Sequence, residues 1–131
     1  MEERFLGKDH RITLTTVLKI ANMFRDQGKH DEALEWHRRG LAGEEESLGK
    51  NHLYTLTTVC SMANVFRDQG KYGMALEWYR RALVGQEMFL GKHYPHTLTT
   101  VYSMANVFRD QGKYDEALEW YRRALAGDEE C

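Results

Sequence analysis

"MANVFRDQGKYDEALEWYRRALAG" occupies residues 104–127. With three letters changed it stands also at 62–85, and as "IANMFRDQGKHDEALEWHRRGLAG" at 20–43. Gly28, Gly70 and Gly112 lie 42 residues apart, as do Trp36, Trp78 and Trp120, and Gly7, Gly49 and Gly91. Self-similarity at a fixed period of this size is the mark of a stacked repeat, in which no single unit buries its own apolar face.

Inside each period the apolar spacing is helical. Leu14, Val17, Ala21 and Phe24 recur at steps of three and four, a single stripe on a helix, and return as Leu56, Val59, Ala63 and Phe66, then Leu98, Val101, Ala105 and Phe108. A second stripe carries Ala33, Leu34 and Leu41. Its later copies read Ala75, Leu76, Tyr79, Ala82 and Leu83, then Ala117, Leu118, Tyr121, Ala124 and Leu125. Small residues at Ala21, Ala63 and Ala105 are expected to face Ala33, Ala75 and Ala117, letting the two helix axes approach. No strand pattern competes, so the fold is read as all-α, three antiparallel helix pairs.

The punctuation agrees. Gly28, Gly70 and Gly112 each close a helical run, where glycine can take the left-handed conformation. Asp31 and Asp115 suit the capped start of the next helix, and Gly73 and Met74 leave the middle copy without that acidic start. Second helices are expected to run to about Ser47, Leu90 and the chain end. Pro95 fits a first helical turn. The units are placed at 11–52, 53–94 and 95–131, with 1–10 the tail of a preceding unit and a return loop.

Composition narrows the function classes. With 42% hydrophobic and 29% charged residues the chain is a folding rather than a disordered sequence. A formal charge of −2 supplies no field to hold nucleic acid or an anionic membrane. No apolar run approaches the roughly 20 residues of a spanning helix, and no secretory leader is legible. Two cysteines, Cys60 and Cys131, make neither a disulfide framework nor a zinc set, which points to a reduced cytoplasmic setting. Metal and cofactor are both read as none: His93 and His96 flank Pro95 without a further ligand at zinc-like spacing, and His10 and His52 are loop residues that pack or cap. Cys60 lacks a recognisable base, the glycines are single helix ends, and no residues converge on a reaction. The chain is therefore read as no enzyme. Glu35 and Arg39, with their period-mates, read as ordinary four-apart helix pairs, and Trp36, Trp78 and Trp120 as packing rather than a ligand cage.

"NVFRDQGKYDEALEWYRRAL" resembles the tetratricopeptide repeat: a small residue on the first helix, an aromatic three on, glycine, aromatic, then Ala-Leu, Tyr and Ala-Leu. The usual unit has 34 residues. The 42-residue period, with "LGKxH" before "TLTT", is similar to kinesin light chains and to the C-terminal arrays of fungal NLR-like proteins. The resemblance implies an α-solenoid, a right-handed superhelix, and a protein-interaction scaffold. The chain reads as a three-repeat segment excised from a longer array, a look that a consensus design would share.

In such arrays the first helices line the concave side. Opposite the buried stripe lie Thr15, Leu18, Asn22 and Arg25, then Thr57, Cys60, Asn64 and Arg67, then Thr99, Tyr102, Asn106 and Arg109. By resemblance to peptide-binding repeats the three asparagines would form a ladder gripping an extended main chain, since an amide donates and accepts. The arginines would assist an acidic ligand. Leu18, Cys60 and Tyr102 occupy one position with three side chains, as a specificity-setting position would; neutral drift at a half-exposed site gives the same pattern. The expected partner is a protein or peptide. A rival reading is architectural, end-to-end self-association of the array. His30, His37 and Gly40, standing where later copies have tyrosines and an alanine, make the first unit the weakest.

Overall fold

The computed structural model describes the backbone of residues 10–130 and the side chains of 13–127. The tail expected over 1–10 lies outside the described residues except for His10, and Cys131 lies outside them too. Six helices follow in order: α1 His10–Asp26, α2 His30–Ser47, α3 Leu53–Asp68, α4 Tyr72–Phe89, α5 Pro95–Asp110 and α6 Tyr114–Glu130. Among the described residues there is no strand. Each odd helix packs on the even helix after it, and α2 and α4 pack in turn on α3 and α5. The chain is an all-α helical-repeat solenoid.

Three glycines at helix ends explain the tight pairing. Gly70 has φ +77°, and the Lys71 N–H reaches back to the Phe66 carbonyl at 2.9 Å while the Gly70 N–H bonds Arg67 at 2.9 Å. This closure satisfies the last carbonyls of α3 and turns the chain within four residues. Gly28 and Gly112 repeat it at φ +79°. The starts of the second helices differ from expectation. The residue before the first helical turn is Lys29 or Lys71, neither bonding a backbone N–H through its side chain, and Asp31 sits inside the first turn of α2. Asp31 and Asp115 favour the helix dipole but stand two positions past the cap. Pro95 opens α5 as its first residue.

The core is built from small residues under large ones. Ala21, Ala33, Ala63, Ala75 and Ala105 are fully buried, as are Leu56, Val59 and Val101. Phe66 and Phe108 lie against Trp78 and Trp120, ring centroids 6.1 Å apart, and each half-buried tryptophan carries an arginine of its own helix over its ring. The first helices also bury a second face: Thr55, Met62 and Val65 in α3, and Thr97, Met104 and Val107 in α5. Those residues lean on the preceding pair.

One expectation needs correcting. Leu118 and Leu125, read as core, are 48% and 57% exposed, whereas their counterparts Leu76 and Leu83 are each 6% exposed. The sequences around them are nearly the same. The second-helix face is buried only where a further pair leans on it, as α5 leans on α4.

Candidate functional site

Two cavities lie between successive first helices and a third between α5 and α6, and part of the predicted lining comes to their walls. One, about 290 Å³, lies between α1 and α3, with Thr15, Leu18, Thr57 and Tyr54 on its walls and Glu44 of α2 beneath. The next, about 360 Å³, lies between α3 and α5 and gathers Thr57, Cys60, Asn64 and Thr99 over Gln86 of α4. A third, about 240 Å³, joins Thr99 and Tyr102 to Leu98 and Ala124. Asn22, Asn106 and the arginines line none of the three.

The asparagines are neither sealed nor equivalent. Asn64 and Asn106 are half-buried, and Asn22 is exposed. The hydroxyl of Tyr79 donates to Asn64 Oδ1, and Tyr121 donates to Asn106 Oδ1. One lone pair of each amide oxygen is therefore taken, and the amide is held in a fixed orientation with its N–H pair directed away from the tyrosine. In the first pair the tyrosine's place is held by His37, which is 1% exposed with no hydrogen bond to either ring nitrogen.

Two arginines serve a different purpose from the one expected. Arg25 pairs with Asp68, its Nη2 at 3.2 Å from Oδ1, and Arg67 Nε lies 2.8 Å from Asp110 Oδ2. These pairs bridge neighbouring first helices, so those guanidiniums lock the stacking register instead of waiting for an acidic ligand. Arg109, half-exposed, has the adjacent Asp110 at 3.3 Å. A second row bridges the second helices: Arg81 with Glu45 and Arg123 with Glu87. Arg81 thus reaches the preceding pair, not Glu77 on its own helix. The threonine hydroxyls turn inward as well: Thr57 donates to Leu53 and Thr99 to Pro95 within their own helices, each at 2.9 Å.

Cys60 Sγ lies 3.3 Å from Thr100 Oγ1, and burial pushes its thiol up, away from the thiolate a nucleophile needs. His52 caps α3 by accepting from the Tyr54 N–H at 3.1 Å, and His93 Nδ1 sits 3.0 Å from the Gly127 carbonyl. Among the described residues no three histidine, cysteine or acidic side chains come together as a metal site would require. No helix among them is long and apolar enough to cross a membrane.

Sequence reasoning missed Glu44 and Gln86. Both are buried beneath the cavities, with burial pushing Glu44 up to about 7, partly opposed by a hydrogen bond from Thr58. "GEEES" reads as a solvated helix end, and it is the packing of α1 and α3 around α2 that makes Glu44 an interior residue.

Residues 11–87 and 59–130 each match the family model of the tetratricopeptide repeat. The chain belongs to that family. Solved structures place its fold among these repeats. The "putative kinesin light chain nearly identical TPR-like repeats" of Podosopora anserina superpose with TM-score 0.77 at 21% identity, over 87% of this chain and 54% of that one. BtubC (BKLC) of P. vanneervenii gives 0.84 at 19% identity, over 99% and 50%. The TPR domain of Arabidopsis FLU gives 0.76 at 16% identity, over 92% and 98%. The chain spans about half the length of the first two. No curated protein matches it. At these identities the likeness shows the fold alone, and tetratricopeptide repeats as a family are generally protein-interaction scaffolds.

Proposed function

We propose that this repeat array is a non-enzymatic scaffold that seats an extended peptide or protein segment in the groove along α1, α3 and α5, in a cytoplasmic setting. The observation that carries the reading is the pair of cavities between successive first helices, the second of them lined by Asn64. Both offer apolar surface beside a buried polar side chain, Glu44 in one and Gln86 in the other, a usual make-up of a side-chain pocket. The tyrosine-held amides of Asn64 and Asn106 add side-chain donors for a peptide main chain, one period apart.

Panning a displayed library of random nine-residue peptides on the chain tests this. Binders are expected that compete with one another and are lost from the triple variant Asn22→Ala/Asn64→Ala/Asn106→Ala at unchanged helicity. An absence of binders, or binders indifferent to the triple variant, overturns it.

A second reading is supported by a specific observation: the surfaces that join the pairs recur unpaired. Leu118 and Leu125 are exposed on the last pair, and Met23 of α1 is 61% exposed where Val65 and Val107 are fully buried. These faces are complementary to each other, because inside the chain they are the two sides of one interface. Head-to-tail stacking of copies would extend the solenoid without closing it. Solution mass against concentration decides: steady growth supports stacking, and a concentration-independent monomer rejects it.

A further inference from the structure

The first two cavities have the same architecture and differ in one charge. Residue 44 is glutamate and residue 86, one period on, is glutamine. Each is more than nine-tenths buried, and each has an Oε1 without a hydrogen-bond partner. Glu44 lines the wide cavity between α1 and α3 and also the small one behind it, beside His37 and Gly40. A carboxyl in that position lacks what a buried charge needs, a cation and a full set of donors.

Among the described residues no lysine or arginine stands against it. α1 contributes Leu14, Thr15 and Leu18 to the cavity, α3 contributes Tyr54 and Thr58, and α5 contributes His96 at its rim. His37, on the same helix as Glu44, is held neutral by burial, with the charge of Arg25 adding to the effect. Among the described residues no lysine or arginine lines the cavity.

We propose that the cavity between α1 and α3 seats one cationic side chain of the bound segment, a lysine or arginine, against the Glu44 carboxylate, while the cavity over Gln86 takes an uncharged polar group. This rests on the groove reading above and sharpens it into a charge register: a basic residue at one seat, a neutral one at the next. A cation entering the first seat supplies both the missing charge and the missing donors, and it favours the ionised carboxylate over the neutral acid that burial otherwise favours. The walls suit an alkyl stem, with Leu14 and Leu18 on one side and the Tyr54 ring on the other.

The test uses the whole chain with glutamates labelled at the carboxyl carbon, followed by NMR against pH. The probe is n-butylammonium chloride, with 1-butanol as neutral control and sodium chloride at matched ionic strength. Binding to the ionised form lowers the Glu44 midpoint, by about one pH unit when the probe stands near ten times its dissociation constant. The expected result is that shift with butylammonium alone. Shift changes at Leu14, Leu18 and Tyr54 should accompany it and vanish in Glu44→Gln, a change that copies the second seat and keeps the fold. A midpoint that moves equally with sodium chloride, or not at all, overturns the proposal.

Peptide panning separates the two readings. Peptides that bind through the asparagines, with no basic preference that Glu44→Gln removes, sink the charge register and leave the groove standing. Butylammonium seated at Glu44 with no peptide captured keeps the seat and sinks the groove.

Discussion

The hydroxyl of Tyr79 in α4 donates to Asn64 Oδ1 in α3, tying the two helices of the middle repeat together across their buried seam. Tyr121 and Asn106 do the same in the last repeat. In the first repeat the seam holds His37, whose two nitrogens are buried without a partner, while Asn22 stands exposed. His37→Tyr is therefore expected to stabilise the chain by about 1 kcal/mol, since it supplies a hydrogen bond and removes an unsatisfied buried group. Chemical denaturation of the variant against the parent measures it. Loss of stability would show that the first seam is too narrow for a phenol. Paired with Asn22→Ala, the gain should shrink, because the new hydroxyl then has no acceptor.

Register between repeats is held by exposed ion pairs, and these should be individually weak. Side chains of Arg67 and Asp110 are about a quarter exposed, so their pair contributes only about 0.2–1 kcal/mol. Burial alone would raise the Asp110 carboxyl, but the hydrogen bond and charge of Arg67 hold it below its usual value. A double-mutant cycle of Arg67→Ala and Asp110→Ala is expected to give a coupling in that range, falling toward zero in 1 M salt. Coupling above 2 kcal/mol would mark the pair as a structural anchor.

Fold and helix limits were legible because the period repeats every decisive residue three times. The alanine seam, the helix-closing glycines and the aromatic fillers all stand where their spacing puts them. Partner choice between repeats was harder to read. "FRD" places Arg67 beside Asp68, and only stacking sends Arg67 forward to Asp110 and Asp68 back to Arg25. Leu125 and Leu83 have the same local sequence and opposite exposure, which no local pattern can express. Of the candidate site, the Thr57, Cys60, Asn64 and Thr99 cluster could be placed from helical geometry. Glu44 could not, because its burial comes from the stacking of α1 and α3 around its own helix.

Glycines inside helices divide into two kinds with opposite expected effects. A Cβ on Gly85 would lie 2.8 Å from Asn51 Oδ1 and 3.1 Å from both δ-carbons of Leu56. Asn51 is exposed and can swing away, but Leu56 is buried and cannot. Gly85→Ala should lose about 1 kcal/mol, overpacking of roughly 1–3 kcal/mol outweighing a helix-propensity gain of about 1. Gly40 has only Val17 Cγ1 nearby, at 3.1 Å. The middle repeat carries the same valine as Val59 opposite Ala82, both fully buried, so the crossing tolerates a methyl. Gly40→Ala should gain about 0.5–1 kcal/mol. Thermal unfolding of the two variants side by side checks the sign of each.

Two buried groups of the first repeat pull stability in opposite directions with pH. His37 drops from 6.5 unfolded to about 4 folded, chiefly through burial, so the unfolded chain binds the extra proton between those values and stability rises with pH. Glu44 rises from 4.5 unfolded to about 7 folded, again chiefly through burial, so the folded chain holds the extra proton and stability falls with rising pH across that window. Each effect amounts to about 3 kcal/mol at most. From about pH 4.5 to 6.5 the two slopes cancel, and Asp110, titrating below 3.8, stays outside the window. Glu44→Gln should unmask the histidine, giving a chain that gains stability from pH 4.5 to 6.5. His37→Tyr should unmask the glutamate, giving one that loses stability from pH 4.5 to 7. The double variant should again be flat. Urea titrations at pH 4.5, 5.5, 6.5 and 7.5 read all four chains. Single variants as flat as the parent would mean that neither group is shielded in solution as it is here, and the carboxyl beneath the first cavity would then be an ordinary solvated acid with no claim on a cation.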